Sequence, residues 1–229
     1  MKLLLLWTIF ATSIFSQERD PKELLDLILS KYNKITDYSV DVEIILDVSF
    51  LDTSISKGKL FFKPPDKIKI ESDEFTIIPK QGLTFAPSEL LEDSYSAIFI
   101  KTEIIESFMV DVIKVMPLVD SSNILLSTLW VDPLYNVVRK IESVTRKMGA
   151  ISIKISYDDK STPLLPSVAK FHFNISNSEY NMMFMNDHKI KNIKENGKIS
   201  GRIIINYSNY LLNQNLEDSI FEEDDELEF

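Results

Sequence analysis

The chain has 229 residues, of which 45% are hydrophobic and 26% charged, values that match soluble globular proteins and argue against wholesale disorder or a membrane-embedded body. A formal charge of −10 speaks against a nucleic-acid partner, which would need clustered Lys and Arg. Cysteine is absent, so disulfides, thiolate chemistry, cysteine-ligated zinc and a cysteine-linked lipid anchor are not expected.

Taken in chain order, the first signal is Lys2 followed by an apolar run from Leu3 to Phe10, then Ala11, Thr12 and Ser13. The run gives out at Gln17-Glu18-Arg19-Asp20, short of the roughly 20 apolar residues of a membrane span. Residues 1–16 therefore read as a signal peptide, cleaved before Gln17, with cuts after Ala11 or Ser13 as alternatives. The exported product is expected to be soluble.

Asp20, Pro21 and Glu23 form the start of a helix: a cap, a proline at the first helical position and an acid in the first turn. Leu24, Ile28, Tyr32 and Ile35, widened by Leu25 and Leu29, give it one apolar face. From Tyr38 the period changes to two. Val40, Val42, Ile44, Leu46, Val48 and Phe50 point one way, and Asp41, Glu43, Asp47 and Ser49 the other, with Ile45 as the exception. Leu60 and Phe62, Ile68 and Ile70, then Phe75 and Ile77 continue the alternation, interrupted at Pro64-Pro65, Ser72-Asp73-Glu74 and Gly82.

Further strands fit Ile124 to Val131, Val137 to Val144, Ile151 to Tyr157, Val168 to Ile175 and Ile199 to Tyr207, while Glu103 to Val115 suits helix and strand equally. One-sided alternation with short gaps predicts a largely antiparallel sheet with one dry face. No glycine-rich phosphate loop and no alternation of strands with long helices is present, which disfavours Rossmann and P-loop architectures. Residues 17–216 form one domain. Residues 217–229 carry eight carboxylates and read as a flexible acidic tail; without this tail and the signal's single lysine, the body is left near −3.

The stretch Lys57-Gly58-Lys59-Leu60-Phe61-Phe62-Lys63-Pro64-Pro65-Asp66-Lys67-Ile68-Lys69-Ile70 resembles the second and third strands of the LolA/LolB superfamily, which meet at a Lys-x-Pro-Asp-Lys turn. Ile78-Pro79-Lys80-Gln81-Gly82-Leu83, Leu129-Trp130-Val131-Asp132-Pro133 with Val137-Val138-Arg139-Lys140, and Ile204-Ile205-Asn206-Tyr207-Ser208-Asn209-Tyr210 are similar to LolA-like proteins as well. The likeness covers most of residues 20–221. It implies a mainly β (α+β) fold, an unclosed antiparallel β-barrel of about eleven strands wrapped over a few helices, with an apolar cavity between them.

The resemblance further implies a periplasmic carrier of lipids or lipoproteins that holds acyl chains, a monomer served by membrane-bound donor and acceptor proteins, with no cofactor, metal or catalytic residue. The expected cavity lining is Val40, Val42, Ile44, Leu46, Val48, Leu60, Phe62, Ile68, Ile70, Phe75, Ile77, Phe171, Phe173, Ile203 and Ile205, and Met182-Met183-Phe184-Met185 is an adaptable apolar cluster of the same kind. The best-known carriers hold a lid with an early-strand arginine. Here the arginines are Arg19, Arg139, Arg146 and Arg202, so that gating is not carried over.

Two rival readings remain open. An envelope sensor or scaffold could use the same fold to grip a protein partner. An enzyme would need a nucleophile with its base, a metal cluster or paired carboxylates, and none is legible. His172 and His188 lie far apart, His172 alternating with Phe171 and Phe173 so as to face solvent, and Asp158-Asp159 lacks the glycine and closing acid of a calcium loop.

Overall fold

The computed structural model describes residues 20–48, 53–72, 91, 94–119, 123–146, 149–158, 165–176 and 198–222. Helix α1 (Pro21–Tyr32) begins where the Asp20 carboxylate accepts a hydrogen bond from the Lys22 amide at 2.9 Å. Pro21 sits where its missing N–H costs nothing, and Glu23 places negative charge in the first turn, as the helix dipole favours. Leu24, Leu25, Ile28 and Tyr32 are buried, and Ile35, beyond the helix end, is buried too.

Ten strands follow: β1 (Tyr38–Val48), β2 (Ser54–Lys63), β3 (Lys67–Glu71), β4 (Tyr95–Ile105), β5 (Phe108–Pro117), β6 (Ile124–Asp132), β7 (Val137–Thr145), β8 (Gly149–Ser156), β9 (Val168–Ser176) and β10 (Lys198–Leu212). They form one antiparallel sheet in the order β3-β2-β1-β10-β9-β8-β7-β6-β5-β4, with β3 and β4 at its edges among the described residues. The expected mainly β, unclosed antiparallel sheet is present. Ten strands and one α-helix are found among the described residues, where about eleven strands and a few helices were expected. The signal peptide, Phe75, Ile77, His188 and the methionine cluster lie outside the described residues.

The ambiguous segment Glu103 to Val115 is a hairpin, the end of β4 and most of β5, joined by Glu106 and Ser107, both at positive φ (47° and 77°). A two-residue turn of this hand matches the twist of the flanking strands. Asparagine supplies most other left-handed positions: Asn136 ends the β6–β7 turn, and Asn209 marks the bulge where β10 slips against β1.

Register separates the faces. Ile44 stands opposite Ile205 and Leu46 opposite Ile203, so the apolar rows of β1 and β10 lie together on the face covered by α1, the inner face. Ile45 is no defect: it meets Ile55 on one side and Ile204 on the other, on the outer face. Two buried clusters occupy the inner face. One gathers β1, β2, β9 and β10 with Tyr32 and Ile35; the other gathers Leu24, Leu25 and Ile28 with β5 to β8, and Ile153 touches both.

Two polar devices hold the ends. At the β6–β7 turn the Asp132 carboxylate accepts from the Leu134 and Tyr135 amides and from Arg139, whose guanidinium stacks 3.3 Å from the Phe108 ring centre. The Asp132–Arg139 side chains are almost wholly buried, so removing one partner strands a charge. At the β3 edge, a short 3-10 turn (Asp218–Phe221) docks through Asp218, which pairs with Lys63 at 2.6 Å and Lys67 at 2.9 Å. The acidic tail is therefore anchored at its start, where a wholly flexible segment was expected.

Asp132→Ala is expected to destabilise the fold by about 3–5 kcal/mol in urea titrations, because Arg139 would stay buried without its counter-charge. Hydrogen bonds from Lys63 and Lys67 pull the Asp218 carboxyl down to about 2. A depressed carboxyl contributes to docking above its unfolded pKa of about 3.9 and loses that contribution as pH falls through the folded value. Chemical shifts of the Ser219 and Ile220 amides should report release of the 3-10 turn between those limits and constancy above them.

Candidate functional site: the inner face of the sheet

The described side chains among those expected to line a cavity lie on this face. Val40, Val42, Ile44, Leu46 and Val48 of β1, Leu60 and Phe62 of β2, Phe171 and Phe173 of β9, and Ile203 and Ile205 of β10 are all buried in the first cluster. Ile68 and Ile70 of β3 pack against it, half-buried.

Cross-strand pairing extends this patch further than strand alternation alone can show. Leu46, Ile203, Phe171, Ile153, Ile141, Leu129, Ile113 and Phe99 stand opposite one another in turn, an unbroken apolar row over eight strands. At the usual strand spacing it runs roughly 34 Å. The next row is built differently: Val48, Gly201, Phe173, Ile151, Ser143, Ser127, Val115 and Ala97. Half of its residues are glycine, serine or alanine, and the Ser127 and Ser143 hydroxyls satisfy each other at 2.7 Å. Ile151, Ser143 and Ala97 are only half-buried, so the face opens toward this row.

The opposite end is closed by tyrosines that alternation did not single out. The Tyr38 ring lies 5.1 Å from Phe62 and 5.6 Å from Tyr210, and Tyr210 stacks 6.2 Å from Tyr207. Tyr32 from α1 belongs to the same cluster. Burial pushes the Tyr38, Tyr207 and Tyr210 hydroxyls far above the usual tyrosine range, so they remain neutral donors. Tyr210 donates to the Pro166 carbonyl at 2.9 Å, and Tyr157, in the other half of the sheet, donates to the Val138 carbonyl at 2.8 Å. Tyr210 and Tyr157 thus each offer an apolar body to the face while the polar tip is satisfied by a backbone carbonyl.

The outer face is mixed, with polar rows beside Ile45, Ile55 and Ile204. His172 is exposed there as expected, in a row with Thr128, Glu142, Ser152, Arg202 and Asp47. It borders a hollow of about 420 Å³ shared with Leu126, Val144 and Ala150. Among the described residues no group of three or more His, Asp or Glu side chains is placed to hold a metal ion. No described helix is long and apolar enough to cross a membrane.

No family model matches the chain, and neither does any curated protein. Solved structures do. A DUF1329 family protein from Desulfovibrio piger superposes with a TM-score of 0.56 at 11% identity, over 90% of this chain and 98% of that one. A domain from Vibrio parahaemolyticus described as an outer membrane lipoprotein-sorting protein gives 0.54 at 12%, over 89% and 97%. A LolA superfamily protein from Nitrosomonas europaea gives 0.53 at 14%, over 87% and 98%. The chain has a LolA-like fold.

Gly201 marks a close approach on the face: a Cβ there would lie 2.6 Å from the Phe173 ring and 2.7 Å from Val48 Cγ1. Gly201→Val is expected to destabilise by about 1–3 kcal/mol through overpacking. Adding Phe173→Ala should recover part of that loss in a double-mutant cycle, since the two residues share one space.

Proposed function

We propose that this chain is a periplasmic carrier of lipids or lipoproteins, released from a signal peptide near Gln17, which holds acyl chains against the inner face of its sheet. The observation that supports it most is the unbroken apolar row from Leu46 to Phe99, flanked on the open side by a row half of whose residues are small. The side chains of the apolar row are largely buried, and the half-buried Ile151, Ser143 and Ala97 of the next row mark the side from which an acyl chain would enter. The LolA-like fold, shared with a domain described as lipoprotein-sorting, supports the same reading.

The chemistry is transfer by balance. Moving a methylene from water to an apolar face yields about 0.8 kcal/mol, but a bilayer offers the chain nearly the same environment, so the net cost of extraction is small. A carrier built this way needs no catalytic group. Val40, Val42, Ile44, Leu46 and Val48 with Leu60, Phe62, Phe171, Phe173, Ile203 and Ile205 form the dry wall; the tyrosine end closes it; Ile151, Ser143 and Ala97 lie at its mouth. Membrane-bound proteins would deliver and receive the cargo.

Native mass spectrometry of the protein, purified without detergent from an outer-membrane bacterium, is expected to show an acylated species bound near one to one. Ile151→Trp, which fills the mouth, should lower its occupancy about tenfold, equivalent to 1.4 kcal/mol, while leaving the far-UV spectrum unchanged. Wild-type protein that carries no lipid and takes up no fluorescent fatty acid would overturn the carrier reading.

A further inference from the structure

The two edges of the sheet are finished differently. The β3 edge carries the docked 3-10 turn, held by Asp218 between Lys63 and Lys67. The β4 edge is 11 residues long, and among the described residues no strand pairs with its free side. It is also apolar: Ile98, Ile100 and Ile104 are 56%, 45% and 70% exposed, and Met109 beside Ile104 is 64% exposed. A long apolar edge is a template for another strand, and soluble proteins ordinarily blunt one with charge.

Here the charges are arranged to do the reverse. Lys101 and Glu103 flank Thr102 in the stretch Phe99-Ile100-Lys101-Thr102-Glu103-Ile104-Ile105, so a second copy laid antiparallel with Thr102 on the two-fold axis meets opposite charge on both sides. Each Lys101, already paired with its own Glu103 at 2.5 Å, then also faces the other copy's Glu103, and the regular pairing ends at the bulge at Ile100. The hydrogen-bond phase allows it. The turn at Glu106-Ser107 makes Ile105 and Phe108 a bonded pair, and alternation then directs the Thr102 and Ile104 backbone groups to the free edge. Centring the axis on Lys101 or Glu103 would set like charges face to face, which is destabilising.

We propose that a second copy of this chain docks on the β4 edge, making an isologous dimer with one continuous sheet through both subunits. This departs from the monomer expected from the sequence, and it does not depend on the lipid reading. Charge selects the register, and the exposed isoleucines supply the apolar area.

Sedimentation equilibrium of the wild-type protein should show a reversible monomer–dimer equilibrium. Lys101→Glu should weaken it at least about tenfold with the thermal midpoint retained, and Lys101→Glu/Glu103→Lys should restore it. Because the chain has no cysteine, Thr102→Cys adds a single reporter. Across a bonded antiparallel pair the Cα atoms lie about 5.5 Å apart, within disulfide reach, so mild oxidation should cross-link this variant and leave Ile98→Cys uncross-linked. A wild-type chain that stays monomeric to its solubility limit would overturn the proposal. So would a dimer indifferent to Lys101→Glu that Thr102→Cys fails to trap, or a β4 edge that accepts only a strand from another protein.

Discussion

The register of β1 against β10 decides which side of the sheet is dry. Ile44 opposite Ile205 and Leu46 opposite Ile203 set the phase, and every strand outward from this central pair inherits it through its neighbour. A slip of one residue would turn Val40 to Val48 toward solvent and bring Asp41, Glu43 and Asp47 under the helix. The outer face also locks the phase: Arg202 reaches Asp47 at 2.8 Å, Asn206 reaches Glu43 at 3.1 Å and Asn209 reaches Asp41 at 2.9 Å. Exposed bonds of this kind add little stability singly, but three in one register discriminate against the slipped pairing.

Strand faces were legible in the sequence wherever one side is apolar and the other charged, as in β1, β2 and β10. The dry-wall residues named from alternation fall on one face for that reason. The hairpin of β4 and β5 was not legible, because its turn uses Glu106 and Ser107 in left-handed conformations with no glycine, and because Ile104, Ile105, Phe108 and Met109 satisfy helical and extended periods alike. The eight-strand row was not legible either. It depends on which strand neighbours which, and β1 pairing with β10 leaves no local mark in the sequence. The tyrosine end escaped because rings at strand ends read as neither dry nor wet in an alternation count.

The division of the inner face into a tightly filled part and a half-open part follows from residue size. Leu129, Ile113, Leu60 and Phe62 are buried to 1% or less, whereas Ile151, Ser143 and Ala97 on the neighbouring row keep contact with solvent. Rigidity and accommodation thus sit two strand residues apart on the same face, the rigid row holding the backbone in place for the open one.

Placing the first and last strands side by side at the centre also orders the events of folding. Tyr38 and Leu212 are partners, so the central ladder cannot close until almost the whole described chain is available, and β2, β3 and the meander from β4 to β9 must wait on either side as separate hairpins. Such distant pairing is slow compared with local contacts. A nascent chain that lacks β10 has no central ladder, and the facing edges of β1 and β9 stay unpaired until synthesis is nearly finished.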